Sequence, residues 1–361
     1  MKGKKIKIAG AGVSGITTAL CLAKEGYEVE IYEKNETSGK RFEGDFQGIE
    51  NWSFEEDALD FLERANIETN FDHPGFKEIS FWGPDGFRRE FDVERPAFYM
   101  VKRGVEKRSL DHGLNQQIMR YDNIKVAYNT LVKPEEVDVV ATGPAVNDPV
   151  KDGFASGYTF KTDSEDRIVM IADDKYAKDG YSYFLVHNGH GVIATCIFND
   201  FKNLNEYRDK TLKLCKESIN FTMTNVKQFG GTGNFFLPKE PSDGKIYVGE
   251  ANGTQDYLWG FGIRHAMTTG YIAAKSIIDN KDYYSLFKKV VLPRLKTSIS
   301  NRLLYHMLGR RSYRLFVGML HDNADPIRFL GDFYRPSLLK KAIYPLARLI
   351  YSKHLRDPRK L

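Results

Sequence analysis

A glycine-rich turn near the start of the chain constrains the fold more than any other feature. It carries Gly10, Gly12 and Gly15 in the pattern Gly-x-Gly-x-x-Gly, between a short alternating strand and a helix. A second alternating strand follows and leads to Glu33, 18 residues after Gly15. This arrangement of about 30 residues is typical of a dinucleotide-binding βαβ unit. A purely structural turn, which is the alternative, needs neither three glycines nor that carboxylate.

Each residue of this motif has its own expected task. Gly10 permits the tight turn, Gly12 lets the backbone approach the pyrophosphate of a dinucleotide, and Gly15 lets the helix pack closely on the strand. The N-terminus of the helix that follows the turn, expected over residues 16–25, would face the pyrophosphate with free N–H groups and the positive end of its dipole. The acidic residue at the end of the second strand would accept hydrogen bonds from the adenosine ribose.

The composition indicates a globular protein with room for two domains, since 42% of its 361 residues are hydrophobic and 28% are charged. Its three cysteines are far apart in sequence, without metal-ligand spacing, so we expect reduced thiols in a cytosolic protein and no metal site. No apolar run approaches the roughly 20 residues needed to cross a bilayer. Gly-x-Ser-x-Gly, His-Glu-x-x-His and P-loop sequences are absent, which leaves hydrolase and nucleoside triphosphatase functions without support.

Three later segments resemble motifs of flavoproteins that have two dinucleotide-binding domains. Residues 137–144 resemble the Ala-Thr-Gly motif of that group. Residues 245–253 resemble its late motif, an apolar strand that ends in Gly-Asp-Ala-Ala-Gly, in which the acidic residue contacts the flavin ribityl chain. Here that residue is Glu250, whose side chain is longer than that of Asp. Residues 259–266 resemble the Gly-x-Gly-Ile turn of the geranylgeranyl reductase branch.

By these motifs and their order, the chain is similar to geranylgeranyl reductase-like flavoproteins, in the larger group that includes p-hydroxybenzoate hydroxylase. The resemblance spans residues 1 to 280 and implies FAD as the cofactor. Arg103, followed by Ser-Leu-Asp at 109–111, resembles the Arg and Asp-x-x-Leu pattern of the family, with an ordinary surface arginine as the alternative. The motif and the resemblance together predict these FAD-binding residues: Gly10, Gly12, Val13, Ser14, Gly15, Glu33, Lys34, Arg41, Arg103, Thr142, Gly143, Gly249, Glu250, Gly260, Gly262 and Ile263.

The substrate side of the resemblance is weaker. Tyr181 and Tyr183 stand where family reductases carry Tyr-x-Trp-x-Phe-Pro, but alternating aromatic residues also build ordinary sheet cores. His265 opens the late helix and is a candidate proton donor, although a histidine there also satisfies local hydrogen bonds. Several family reductases have a cysteine near the flavin, where residues 44–50 (Gly-Asp-Phe-Gln-Gly-Ile-Glu) contain none. We therefore expect no thiol-dependent step, and the catalytic residues stay unassigned beyond these three candidates.

The predicted fold is α/β, with a Rossmann-like FAD-binding domain, an inserted and mainly antiparallel β-sheet substrate domain, and a helical C-terminal region. The FAD-binding domain is expected to be discontinuous, over residues 1–45, 95–150 and 240–282. The substrate domain would comprise residues 46–94 and 151–239, and the basic helical region residues 283–361.

Two enzymatic functions stay open. The first is an oxidoreductase that reduces carbon–carbon double bonds of an isoprenoid or other apolar lipid with hydride from the flavin. The second is a monooxygenase that hydroxylates an apolar or aromatic substrate. A flavin-bound interaction protein is a third, less supported class, because the pocket motifs are largely kept. A second Gly-x-Gly-x-x-Gly for a nicotinamide cofactor is absent, since residues 230–233 are not framed by a strand and a helix. The electron donor is therefore transiently bound NAD(P)H or ferredoxin.

Charge is distributed unevenly along the chain. Residues 285–361 carry 17 Lys and Arg against 4 Asp, a net charge of +13, whereas the remainder carries 36 against 44, a net charge of −8. Apolar and basic residues recur there at helical spacing: Leu303, Leu304, Met307, Leu308, Leu315, Phe316 and Met319 beside Arg302, Arg310, Arg311 and Arg314, then Leu338, Leu339, Ile343, Tyr344, Leu346, Leu349 and Ile350 beside Lys340, Lys341, Arg348 and Lys353.

Amphipathic helices with basic polar faces are typical of proteins that bind anionic membrane surfaces. The alternative is that these apolar faces pack on the acidic body of the protein, and both can hold if only the last segment is exposed. Nucleic acid is a weaker third partner, since no recognised binding module accompanies the charge.

Overall fold

A five-stranded parallel sheet forms the nucleotide-binding part of the computed structural model, which describes residues 5–144, 152–233, 235–308, 315, 318–319 and 326–360. Its order is β14-β8-β1-β2-β7. The strands are β1 (Lys5–Ala9), β2 (Glu28–Tyr32), β7 (Ile124–Ala127), β8 (Val139–Val140) and β14 (Ile246–Tyr247). Because the strand order reverses between β1 and β8, the carboxyl ends of these two strands mark the crevice where such sheets bind ligands.

A second, seven-stranded sheet has the order β13-β9-β12-β11-β10-β4-β5, and only the β4–β10 pair within it is parallel. Its strands are β4 (Glu78–Trp82), β5 (Arg88–Asp92), β9 (Gly153–Lys161), β10 (Arg167–Ile171), β11 (Tyr181–His187), β12 (His190–Ile197) and β13 (Thr224–Gly233). The expected mainly antiparallel sheet is therefore confirmed. Its edge strand β13, which contains the glycine-rich residues 230–233, is polar and mostly exposed, so no hydrophobic alternation marks it in the sequence.

A two-stranded antiparallel ribbon connects the two parts through its side chains. It pairs β3 (Phe46–Glu50) with β6 (Phe98–Lys102). Successive side chains of a strand point to opposite faces. Ile49 and Val101 accordingly pack into the core of the parallel sheet, whereas Phe46 and Met100 pack into the core of the antiparallel sheet.

The helices cover the parallel sheet and form the C-terminal region. They are α1 (Val13–Lys24), α2 (Ala58–Arg64), α3 (Leu110–Ile118), α4 (Leu204–Ser218), α5 (Ile263–Ile278), α6 (Tyr283–Val290), α7 (Leu292–Leu308), α8 (Pro326–Tyr334) and α9 (Leu338–Ile350). Every residue of α1 except Lys24 is buried. Helix α2, which falls in the range expected for the substrate domain, packs in the same core as α1 through Phe61 and Leu62. Among the described helices, none combines the length and the apolar character that crossing a membrane requires.

The C-terminal helices divide their apolar residues between the body and solvent. In α7, Ile299 and Leu303 are buried in a core cluster, and the buried Arg302 donates to the carbonyl oxygens of Leu258 and Asp179 at 3.0 and 2.7 Å. This first segment of the basic pattern therefore packs on the body. Other residues of the pattern lie outside the part of the chain that the structure describes: Arg310, Arg311, Arg314 and Phe316.

Replacing Gly270 by Ala tests the close contact between α1 and α5. In a helix interior this change normally stabilises by roughly 0.5–1 kcal/mol, because glycine loses more backbone entropy. Here a Cβ would lie 2.4 Å from the carbonyl oxygen of Ser14, so we expect the free energy of unfolding to fall by about 1–3 kcal/mol in urea titrations. Gly331→Ala in α8, where the nearest atom is 3.7 Å away, is the matched control. Equal effects of the two changes would contradict this packing.

Candidate cofactor and substrate cleft

A cleft of about 870 Å³ opens at the carboxyl ends of β1, β2, β8 and β14. Its volume falls within the range of roughly 300–1,000 Å³ that ligand sites occupy. One wall is the nucleotide-binding part, including the glycine-rich turn. The opposite wall comes from strands β9, β10, β11, β12 and β13 of the antiparallel sheet, and the β3 ribbon strand lies between the two walls. The cleft therefore contacts both parts that the sequence separates.

The three glycines of the turn have different surroundings. Gly10 has a φ of +101°, and a Cβ there would lie 2.4 Å from the carbonyl oxygen of Ala141. A Cβ at Gly15 would lie 2.1 Å from the carbonyl oxygen of Gly10. At Gly12, by contrast, a Cβ would meet nothing within 4 Å, because this residue faces the cleft. Gly10 and Gly15 thus allow the turn and its packing, and Gly12 leaves room for a ligand against the backbone.

Glu33 holds the turn to the end of β2. Its buried carboxylate accepts hydrogen bonds from the Ala11 N–H through Oε2 and from the Asn35 N–H through Oε1, both at 2.9 Å. Oε1 also accepts from Asn35 Nδ2 at 2.7 Å. A carboxylate has about four acceptor sites, so one site remains, on Oε2, for a ribose hydroxyl. Glu33 also lines the cleft, as its expected role requires.

Two helix N-termini meet at this cleft without side-chain caps. The N-cap of α1 is Gly12 and the N-cap of α5 is Gly262, and neither makes a side-chain cap hydrogen bond. The first residues of both helices, Val13 and Ile263, line the cleft. Uncapped first-turn N–H groups need another partner, and the helix dipole favours a negative one. A dinucleotide's pyrophosphate and a flavin's electron-rich pyrimidine edge supply such partners, so the cleft fits FAD.

Arg103 is buried beside the cleft and is not a surface arginine. Its Nε and Nη2 donate to the two carboxylate oxygens of Asp111, each at 2.8 Å, and its Nη1 donates to Gln47 Oε1 at 2.7 Å. The guanidinium also lies 3.9 Å from the ring centroid of Phe42. This bidentate pair holds the positive charge in one orientation at the wall of the cleft.

The late motif packs directly against the start of α1. Gly249 has a φ of +61°, and a Cβ there would lie 2.6 Å from Ser14 Oγ. Its N–H donates to Thr269 Oγ1 at 2.9 Å, which joins the motif to α5. The next residue, Glu250, lines the cleft, with its Oε2 3.9 Å from Nη2 of Arg41. The longer side chain thus reaches a cation within the cleft.

The structure brings most of the predicted FAD-binding residues to the cleft surface. Gly15 and Gly249 lie behind this surface and act through packing. The residues that line the cleft are Gly10, Gly12, Val13, Ser14, Glu33, Lys34, Arg41, Arg103, Thr142, Gly143, Glu250, Gly260, Gly262 and Ile263.

Of the catalytic candidates, the two tyrosines reach the cleft. Tyr181 and Tyr183 line it from β11. The Tyr181 hydroxyl donates to the carbonyl oxygen of Trp259 at 2.8 Å. Burial raises the pKa of both tyrosines well above the usual value. Both side chains are therefore neutral phenols in the cleft wall.

His265 lies behind the wall of the cleft and is not among its lining residues. Its side chain is buried, with Nε2 4.0 Å from Glu50 Oε1 and its ring beside Phe54. Burial lowers the pKa of His265 to about 3, so the ring is neutral near pH 7. Burial also raises the pKa of Glu50 to about 7. Neither residue of this buried pair lines the cleft.

Two polar residues of the cleft were not assigned roles from the sequence. Asp45 is buried and lines the cleft, where it accepts a hydrogen bond from Gln47 Nε2 at 2.9 Å. Burial raises the pKa of the Asp45 carboxyl. Cys196 lines the cleft opposite, paired with Tyr181 in the β11–β12 register, and burial raises its pKa to about 12. The sequence could have indicated Asp45, because this carboxyl follows the first nucleotide-binding unit. The position of the Cys196 thiol depends on strand register, which the sequence does not show.

An apolar cavity of about 110 Å³ lies directly against the cleft. Its walls are aromatic and aliphatic side chains, without a charged residue among them. Helix α8 contributes Ile327 and Leu330. The cavity and the cleft share five lining residues: Phe98, Met170, Tyr181, Trp259 and Phe261.

Metal-ligating side chains do not cluster in the described ranges, where no group of three His, Cys, Asp or Glu residues could hold a metal ion.

Comparison with known proteins agrees with this geometry. The family model of the NAD(P)-binding Rossmann-like domain matches residues 8–49, which include the glycine-rich turn. A search of curated proteins found no match.

Solved structures share the fold over nearly the whole chain. A geranylgeranyl bacteriochlorophyll reductase-like protein from Thermoplasma acidophilum has a TM-score of 0.68 and 16% identity, over 98% of this chain and 100% of that protein. PqsL, a probable FAD-dependent monooxygenase from Pseudomonas aeruginosa, has a TM-score of 0.61 and 14% identity, over 86% and 99%. The flavin-dependent brominase Bmp2 has a TM-score of 0.61 and 14% identity, over 97% and 100%.

The chain therefore has the fold that a reductase-like protein, a probable FAD-dependent monooxygenase and a flavin-dependent brominase share. These similar proteins include the reductase-like branch that the sequence motifs resemble. At identities of 14% to 16% these likenesses establish the fold. They confirm the predicted α/β architecture.

Replacing Gly12 by Val tests the cofactor site separately from folding. The new side chain would extend into the open cleft and occupy the space that a pyrophosphate needs. We expect the variant to fold, with an unchanged far-ultraviolet circular dichroism spectrum, but to lose flavin absorbance near about 450 nm. Full flavin absorbance in this variant would contradict binding along the glycine-rich turn.

Proposed function

We propose that this protein is an FAD-dependent oxidoreductase that reduces carbon–carbon double bonds of an isoprenoid or other apolar lipid. The observation that carries this proposal is the apolar cavity against the cleft, with five lining residues in common. A cavity without charged walls favours a hydrocarbon, because burying a polar or charged substrate group there without a partner would cost free energy. The similarity to the reductase-like protein from Thermoplasma acidophilum supports the same reading.

The residues of the chain would divide the work of binding the cofactor. The N–H groups at the start of α1 would hold the pyrophosphate, and Glu33 would bind the ribose. The start of α5, from Gly262, would lie at the pyrimidine edge of the flavin, where its dipole stabilises negative charge. Bound FAD would supply the hydride for reduction of the double bond.

Asp45 is the residue best placed to supply a proton to the substrate. It lines the cleft between the nucleotide-binding part and the antiparallel sheet, and burial raises the pKa of its carboxyl. An acid that stays protonated nearer to neutral pH is a more effective donor in general acid catalysis. Tyr181 donates its own hydrogen to a backbone carbonyl, which commits that proton to the wall of the cleft.

A monooxygenase is the second candidate function. The aromatic residues of the apolar cavity, among them Trp52, Phe81 and Phe91, would also pack against an aromatic substrate. The fold is shared by PqsL, a probable FAD-dependent monooxygenase, and by the flavin-dependent brominase Bmp2. Transiently bound NAD(P)H and ferredoxin remain the two proposed electron donors for either function.

Anaerobic reoxidation separates the two functions. The FAD-loaded protein is reduced with dithionite without oxygen and then mixed with a panel of polyprenyl lipids. The proposal predicts that an unsaturated lipid restores the flavin band near about 450 nm and gains two hydrogens per double bond by mass spectrometry. A saturated lipid of the same length is the control. If the lipids do not reoxidise the flavin without oxygen, but oxygen does so when added and a hydroxylated lipid forms, the protein is a monooxygenase instead.

Asp45→Asn tests the proton donor in the same assay. The amide is nearly isosteric but cannot act as the acid, so we expect reoxidation by the lipid to slow by about 100-fold, with flavin absorbance unchanged. The protonated donor is present below its raised pKa, so the wild-type rate should fall as pH rises through that pKa. The variant should lose this pH dependence. A wild-type rate and pH profile in the variant would assign the proton to another source.

A further inference from the structure

Helix α9 has an apolar face that the body of the protein does not use. Its packing side comprises Lys340 and Ala347, which are buried, and the partly buried Ile343 and Tyr344. At 100° per residue, a separate stripe of large aliphatic residues turns to solvent. It consists of Leu338, Leu339, Leu346, Leu349 and Ile350, of which Leu338 is 85% and Leu349 72% exposed.

Folding leaves the side chains of this stripe exposed to solvent. The contacts that attach α9 to the body come from the packing side, where Ala347 joins the core cluster that contains Leu303 of α7. Five large aliphatic side chains in a single stripe form a contiguous apolar surface, which marks an interaction site in a soluble domain.

The charged residues along this segment of the sequence have one sign. Between Asp332 and Asp357 the sequence contains no acidic residue. Lys341 and Arg348 are exposed on the edge of α9, between its apolar stripe and its packing side. The remaining basic residues of this interval are Arg335, Lys340, Lys353 and Arg356. An apolar stripe flanked by cations matches an anionic lipid surface, where aliphatic groups enter the acyl region and cations meet headgroups.

We propose that α9 docks this protein on anionic membrane surfaces through the lipid-binding stripe, defined as Leu338, Leu339, Leu346, Leu349 and Ile350. Lys341 and Arg348 contact the headgroups beside the stripe. The helix lies in the plane of the interface, because its opposite side stays packed on the protein.

Hydrogen bonds tie this docking helix to the wall of the apolar cavity. The ammonium of Lys340, on the packing side of α9, donates to the carbonyl oxygens of Asp332, Phe333 and Arg335 at the end of α8. Helix α8 in turn carries Ile327 and Leu330, which line the apolar cavity. A membrane that holds α9 therefore holds the cavity wall close to the bilayer.

Two other occupants fit part of this surface. An acidic protein, such as an electron donor, would match the cations but would not require five exposed aliphatic residues. A second copy of this chain would cover the aliphatic residues but would bring its own cations into repulsion. The lipid surface accounts for both features.

Vesicle sedimentation of the full-length, FAD-loaded protein tests the proposal. We expect the protein to pellet with vesicles of phosphatidylcholine and phosphatidylglycerol, less with phosphatidylcholine alone, and less at high salt. Leu349→Glu should lower the bound fraction by about tenfold, because it places a charge in the inserted stripe. Met119→Glu is the matched control, since Met119 is 65% exposed at the end of α3 on the nucleotide-binding part, and it should bind as the wild type does.

The alternatives give different results in this assay. Equal pelleting of Leu349→Glu and wild type would overturn the proposal. Binding that survives Leu349→Glu but is lost in Lys341→Glu with Arg348→Glu would indicate a purely electrostatic surface and would also overturn it. So would a lipid-free dimer that Leu349→Glu dissociates in analytical ultracentrifugation. The assay measures vesicle binding and no turnover. Its result can therefore contradict the membrane proposal while the proposed reaction stands, and the reaction can be contradicted while membrane binding stands.

Discussion

The close backbone packing around the first helix is the constraint on which the cleft depends. At Gly15 the helix touches the carbonyl oxygen of Gly10, and at Gly270 helix α5 touches that of Ser14. A side chain at either glycine would push α1 away from the sheet or from α5. The uncapped N-termini of these two helices face one cleft because this packing holds them there. Anion binding at such helix ends uses backbone groups. The positions of these groups are therefore set by the packing of the helices behind them.

Burial decides which polar groups of the cleft carry charge. Arg103 keeps its charge because Asp111 pairs with it through two hydrogen bonds. The Asp45 carboxyl in the cleft wall and the Glu50 carboxyl behind it have no bidentate arginine among their described partners, and burial raises the pKa of each. The same desolvation keeps the Cys196 thiol protonated. The ribbon of β3 and β6 produces this environment, since its two faces enter two different cores and leave Asp45 between them.

The basic C-terminal region behaves as two segments with different physics. Helix α7 buries its apolar residues, and even Arg302 is buried because two backbone carbonyl oxygens accept its hydrogen bonds. Helix α9 packs one side on the body and exposes the lipid-binding stripe to solvent. Both helices show the same apolar-basic pattern in sequence, so periodicity alone cannot distinguish a packed helix from one that is available to a partner.

The sequence by itself determined the nucleotide-binding turn, the order of the flavoprotein motifs, most strands of the antiparallel sheet and the helical, basic end of the chain. These depend on local spacing, such as three glycines between a strand and a helix, or alternation along β11. Only the tertiary structure decided that His265 lies behind the cleft, that Asp45 and Cys196 line it, and that the exposed strand β13 joins the sheet. Each of these outcomes depends on which distant segment covers a given face, through strand register and helix packing. Local patterns do not encode that choice, because the same residue spacing is compatible with either face being buried.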